Sequence, residues 1–147
     1  MIQINYPTKK PTIKISEGKE TIQCVVRKKW FQLTPEEWVR QNFLLYLNEI
    51  LNYPLSLMAV EKQIIVGDVK RRFDIVVYNQ AMIPLMLVEC KEMEVPLSKE
   101  VLHQALHYNS KMQTRFLILT NGNHTIGFEK KNEMFVEINE IAEWGRV

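Results

Sequence analysis

Between Leu33 and Tyr53 the apolar residues recur on a helical period: Val39, Phe43, Tyr46, Leu47 and Ile50 stand three and four residues apart. That spacing predicts one amphipathic helix over 33–53 with its apolar stripe turned inward. Thr34 can cap its N-terminus, Pro35 suits the first helical position, and Glu36 and Glu37 sit at the positive end of the helix dipole. At about 100° per residue, Glu36 falls on the apolar stripe and Glu37 near its edge. Pro54 ends the helix.

The rest reads mostly as strands. Residues 1–20, with Pro7, Pro11 and several lysines, predict an extended N-terminal arm, and 21–30 a strand that pairs at the sheet edge. Runs at 59–67 and 73–79 are separated by "DVKRR", which reads as a hairpin. The run 83–91 is apolar on both faces and hence central. A second helix is predicted over 98–112 with Ser98 as its cap, then a buried strand at 115–122 and a hairpin over 125–138 through Lys130, Lys131 and Asn132. The tail to Val147 reads as a short helix. Helix, three strands, helix, strand and hairpin define an α/β (α+β) chain with a mixed central sheet flanked by helices. Its 147 residues fit a single domain.

Composition narrows the classes. The chain is 46% hydrophobic and 24% charged, as ordinary globular proteins are. No apolar run approaches the ~20 residues of a membrane span, and the N-terminus lacks the apolar region of a signal peptide. Two cysteines, Cys24 and Cys90, make neither a disulfide framework nor a zinc quartet, so a reducing cytoplasm is expected. Residues 1–72 carry 12 Lys and Arg against 7 Asp and Glu, a net +5, whereas residues 73–147 carry 7 against 10, a net −3. The basic excess gathers in Arg27-Lys28-Lys29 and Lys70-Arg71-Arg72, which read as solvated surface unless a site beside them turns them to phosphate.

Charge sits oddly on two of the most apolar strands. Asp74 opens one, and Glu89, Cys90 and Lys91 close the next. If these strands pair antiparallel about the turn from Asn79 to Ile83, Asp74 lies across from the Glu89 end. Glu89 and Lys91, two apart, share one face while Cys90 points to the other. Two converging carboxylates suit a hard divalent cation such as Mg²⁺. A lysine beside them can orient a water or stabilise charge developing on a phosphate. The plainer alternative is that these charges face solvent, with Asp74 paired to Arg71 or Arg72. His103 and His107 have the spacing of a metal pair but lack the further ligands of a zinc site, and both cysteines read as structural.

Asp74 followed by Glu89-Cys90-Lys91 resembles the D…(D/E)-x-K motif of the PD-(D/E)xK nuclease superfamily, and the order of elements resembles its αβββαβ restriction-endonuclease-like core. More narrowly, "PEEWVRQ", "RFDIVVYN", "VECK", "QALHYN" and "LTNG" resemble the type I restriction enzyme R-subunit N-terminal domain family, from about Leu33 to Phe128. The leading proline of the motif is Phe73 here. The resemblance implies a core over 33–128, preceded by an arm and edge strand over 1–32 and followed by a hairpin and tail over 129–147.

It further implies catalytic roles for Asp74, Glu89, Lys91, Glu36 and Gln104. Mg²⁺, with Mn²⁺ as a substitute, would be held by Asp74, Glu89 and the backbone carbonyl of Cys90. The first-helix acid would be Glu36 or Glu37, with Glu36 preferred because it faces the sheet. Gln104 and Tyr108, four apart on one helical face, match the family's Q-x-x-x-Y motif. Arg71, Arg72 and Tyr108 would contact DNA phosphates without reading sequence. The implied activity is Mg²⁺-dependent endonucleolytic hydrolysis of DNA in restriction or DNA processing. The alternative is a nuclease-fold module for DNA binding or assembly. No G-x-x-x-x-G-K-[ST] occurs, so translocation is expected from a separate motor or specificity subunit. Cutting both strands of a duplex would favour a homodimer.

Overall fold

The computed structural model describes residues 1–66 and 68–147; Gly67, which closes the predicted strand 59–67, lies outside the described residues. Six strands form the main sheet: β4 (Met58–Val66), β5 (Val69–Tyr78), β6 (Pro84–Cys90), β7 (Phe116–Thr120), β8 (Thr125–Lys131) and β9 (Met134–Ile138), in that spatial order. Every neighbouring pair is antiparallel except β6 and β7, which run parallel. The parallel step requires a crossover, and α2 (Lys99–Tyr108) supplies it.

The sheet lies between two helices. One face packs on α1 (Pro35–Leu45): Val39, Phe43 and Leu44 join Ile75, Val77, Met86, Val88 and Ile118. The other packs on α2, where Ala105, with Val101 and Leu102 alongside, meets Phe73, Val76, Leu87 and Leu117. Sheet residues go to both faces, as the continuously apolar sequence of β6 and β7 demands.

The N-terminal region departs from the expected arm and edge strand. β1 (Ile13–Ser16), β2 (Lys19–Gln23) and β3 (Trp30–Gln32) form a separate three-stranded antiparallel sheet. Its first hairpin turns at Glu17 and Gly18, both at positive φ. The loop after β2 is tied to α1 by the Gln41 side-chain oxygen, which accepts from the Val25 N–H at 2.8 Å.

Thr34 and Ser98 cap the two helices as predicted, through side-chain oxygens that accept from Glu37 and Val101 N–H. The first helix does not stay α-helical to Tyr53. Tyr46–Ile50 forms a π-helical turn, with Leu51 N–H donating to the Tyr46 carbonyl at 3.2 Å. Asn52 then adopts the left-handed conformation at φ 62, which asparagine tolerates better than most residues. The β4–β5 connection is tighter than the expected "DVKRR" loop, so Lys70, Arg71 and Arg72 lie within β5. The β8–β9 turn is confined to Asn132 and Glu133, both at positive φ, so of the expected turn residues Lys130 and Lys131 belong to β8. Trp144–Arg146 forms a single 3₁₀ turn in the tail.

Phe43 is wholly buried between α1 and the sheet. Phe43→Ala is expected to lower unfolding stability by about 3–5 kcal/mol, checked by the denaturant midpoint at unchanged slope.

Candidate active site

β5 pairs with β4 from Met58↔Val77 to Val60↔Ile75, and pairing resumes at Lys62↔Phe73, stepping over Glu61 and Asp74. Glu61 sits at φ 52, a left-handed conformation inside a strand. The normal alternation of faces breaks at this point. Phe73 and Ile75, two residues apart, pack into opposite cores. Freed from the regular pleat, Asp74 turns toward the N-terminal end of α1. On its other side, the register Ile75↔Val88, extended by one step, sets Asp74 across from Glu89, as the sequence predicts.

Both Asp74 oxygens have protein partners. Oδ2 accepts from the Cys90 backbone N–H at 2.8 Å, and Oδ1 accepts from Arg40 Nη2 at 2.8 Å. The expected pairing of Asp74 with Arg71 or Arg72 is therefore replaced by a residue of α1. Arg40 is almost fully buried, with its side chain 6% exposed. Its Nη1 donates to both oxygens of Glu37 at 2.9 Å, its Nη2 to Glu36 at 3.2 Å, and Glu61 lies 3.5 Å away. Burial works against the Arg40 charge, but Asp74, Glu37 and Glu61 more than offset it and raise its pKa.

These contacts revise the reading of the first-helix acids. Glu37, not Glu36, is the buried one, held by Arg40 and by the Gln41 side-chain amide at 3.1 Å. Glu36 is half exposed. It still belongs to the site: burial and the neighbouring Asp74 push its carboxyl up, while Arg40 and Lys91 pull the other way. The buried face of α1 includes Val39 and Phe43 but extends through Arg40, Gln41 and Leu44, which takes in Glu37 and leaves Glu36 at its rim.

Glu89, the second strand acid, lies on the far side of β6 from Cys90, which packs into the α1-side core. Burial pushes its carboxyl up, Arg71 and Lys91 oppose that, and Asp74 adds to it. Arg71 Nη2 lies 3.6 Å from Glu89, Arg71 Nη1 donates to the Asn109 side-chain oxygen at 3.2 Å, and the guanidinium stacks 3.7 Å over the Tyr108 ring. Arg72 is exposed and pairs with Glu61 at 3.3 Å. Gln104 is exposed on α2, one turn before Tyr108 and so on the same face. Lys91 follows the end of β6, its backbone N–H donating to the Thr120 carbonyl at 2.8 Å.

Two residues of this network were not singled out from sequence. Arg40 carried a legible sign, a cation three and four residues beyond Glu37 and Glu36 on a helix. Glu61 carried none, because a glutamate beside a lysine in a strand reads as solvated surface. Here it is held by Arg27 at 3.1 Å as well as by Arg72 and Arg40, and although burial opposes it, these cations keep its pKa low.

The donor chemistry fits a hard divalent cation: Asp74, Glu89 and the Cys90 carbonyl offer only oxygen. Among the described residues, no group of three or more His, Cys, Asp or Glu side chains stands ready to hold a metal. The carboxylates are instead matched by arginines. What the site brings together is a pair of acids on adjacent strands, a lysine beside the second, and guanidinium groups around both.

A mixed sheet between two helices, with this acid–acid–lysine arrangement on its central strands, defines a nuclease-like fold. Among solved structures the chain is similar to a candidate nuclease belonging to DUF820 from Anabaena variabilis ATCC 29413, determined at 1.96 Å resolution. The TM-score is 0.50, with 13% identity over 91% of this chain and 80% of that one, a likeness of fold. The family described as type I restriction enzyme R protein N terminus (HSDR_N) matches residues 35–142. The chain belongs to that family, in agreement with the PD-(D/E)xK-like resemblance read from its motifs. No curated protein matches it. No helix among the described residues is long and apolar enough to cross a membrane.

Two outcomes follow from the charge network. Arg40→Ala strands the buried Glu37 carboxylate and the partly buried Asp74 and is expected to cost about 3–5 kcal/mol by chemical denaturation. Glu89 behaves oppositely. Its folded pKa is raised, so the folded state favours the protonated form, and that contribution fades as pH rises through the folded value. Glu89→Gln is therefore expected to melt above the unsubstituted protein at neutral pH. The gap should close as the pH falls below the ordinary carboxylate range, as thermal melts across pH would show.

Proposed function

We propose that this chain is a metal-dependent nuclease module that hydrolyses DNA phosphodiester bonds, in restriction or DNA processing. The observation that supports the reading is the placement of Asp74 and Glu89 across from each other on adjacent strands, within electrostatic reach of one another and of Lys91, in a chain of this family. Asp74, Glu89 and the Cys90 carbonyl would hold Mg²⁺, or Mn²⁺ in its place. The ion would supply Lewis-acid polarisation and a water of lowered pKa. Lys91 would orient a water or stabilise charge developing on the phosphate, since its ammonium lies within electrostatic reach of both Glu36 and Glu89. Glu36, half exposed beside Asp74, is the first-helix acid available to the site. Glu37 is committed to Arg40.

Arg71, Arg72 and Tyr108 would bind the DNA backbone by charge and stacking, without base readout, and Gln104, on the face of α2 that carries Tyr108, would support the catalytic site. A separate motor or specificity subunit would supply translocation or target choice, and a homodimer would let both strands be cut. One observation favours a second reading, a module that binds DNA or a partner subunit with little cleavage. Both oxygens of Asp74 are already engaged within the chain.

Cleavage of a supercoiled plasmid and of a labelled duplex in Mg²⁺ or Mn²⁺ separates the two. Hydrolysis is expected to fall about a hundredfold or more in Asp74→Asn and in Lys91→Ala, with duplex binding retained. Tight duplex binding with no cleavage by the wild type in either metal would favour the binding module.

A further inference from the structure

The two strand acids are held by their arginines in different ways. Asp74 meets Arg40 at 2.8 Å, and that guanidinium is buried and shared with Glu37. Glu89 meets Arg71 at 3.6 Å, the longest ion pair among the described residues and beyond hydrogen-bond length. Arg71 is also better placed to move. Its side chain is 18% exposed against 6% for Arg40, its guanidinium carbon lies 3.7 Å from the centroid of the Tyr108 ring, itself 56% exposed, and Nη1 keeps a separate bond to Asn109. A guanidinium anchored by an aromatic ring and an amide can turn its free N–H groups to a phosphate diester while those contacts stay in place.

The surrounding charge makes such an exchange natural. Glu36, Glu37, Glu61, Asp74 and Glu89 are the acids of the network. Arg27, Arg40, Arg71, Arg72 and Lys91 are its bases, so the cluster is balanced, five against five. Adding a divalent cation alone leaves it overcharged, and adding a phosphate alone leaves it undercharged. Adding both leaves an excess of about one positive charge in place of two, so each ligand offsets part of the charge the other brings, and opening one ion pair frees a carboxylate for the cation and a guanidinium for the phosphate. Glu89–Arg71 is the pair whose geometry holds it least.

We propose that Arg71 is a positioning residue that couples the two ligands. It occupies Glu89 until a DNA phosphate takes the guanidinium, and Glu89 is then released to the divalent cation. This deepens the nuclease reading and depends on it. By linkage, each ligand must strengthen the binding of the other by the same factor.

Two measurements test it, neither of which uses activity. The first is calorimetric titration of Mn²⁺ into the protein without nucleic acid. Arg71→Gln removes the competing charge and is expected to bind Mn²⁺ about threefold to fivefold more tightly than wild type. Arg71→Lys, which keeps the charge, should stay near wild type. The second is anisotropy of a labelled duplex bound to the wild type, with Ca²⁺ and without it at matched ionic strength. Affinity should rise severalfold with Ca²⁺, and this gain should largely vanish in Arg71→Gln. A wild-type duplex affinity indifferent to Ca²⁺ overturns the coupling without recourse to any variant. So does Mn²⁺ binding that a folded Arg71→Gln leaves unchanged or weakens. If neither the wild type nor either variant binds Mn²⁺, the nuclease reading falls and the coupling falls with it.

Discussion

A guanidinium buried between a helix and a sheet is stable only if carboxylates surround it, and Arg40 meets that demand through Glu37 on its own helix and Asp74 on β5. Docking of α1 and orientation of Asp74 are thus one event. The helix cannot seat its apolar residues without bringing Arg40 to the strand, and the strand acid cannot turn elsewhere without leaving that charge unpaired.

The strand is built to allow this. Where β4 and β5 step over Glu61 and Asp74, the pleat loses its alternation, and Phe73 and Ile75 reach opposite cores. A regular ladder would send Asp74 to the same face as Val76, toward α2. Glu61 takes a left-handed conformation, costly for a residue with a Cβ, and the arginines around it offset that cost. Cys90 contributes through its backbone, whose N–H holds the second Asp74 oxygen, while its thiol is buried and pushed well above its ordinary pKa by burial and by Asp74.

The second acid shows a different compromise. Glu89 has two cations near it, Arg71 at 3.6 Å and Lys91 within electrostatic reach, yet burial still leaves its carboxyl raised. In the proposed exchange, a carboxylate whose charge burial opposes, beside an arginine beyond hydrogen-bond length, is the one that would be released to a ligand. Asp74 and Glu89 thus differ in how tightly their arginines hold them, at 2.8 Å and 3.6 Å.

Much of this was legible in sequence because it depends on local rules. The caps at Thr34 and Ser98, the doubly apolar central strands, the antiparallel return that sets Asp74 across from Glu89 and the spacing of Glu89 and Lys91 all follow from periodicity and turn chemistry. The motifs that place the chain in its family are equally local. Long-range packing decided the rest. Which of two adjacent glutamates is buried depends on the rotation of α1 against the sheet, and a stripe drawn from a few apolar residues fixes that only to about one position. That Arg40 rather than Arg71 or Arg72 pairs with Asp74 depends on a contact 34 residues away in sequence, and that Glu61 joins the site depends on a break in a ladder that no run of residues announces. Sequence by itself determined the elements and the chemical kind of the site. The tertiary structure alone decided which charge neutralises which, because a buried charge takes its partner from whatever the packing brings within reach.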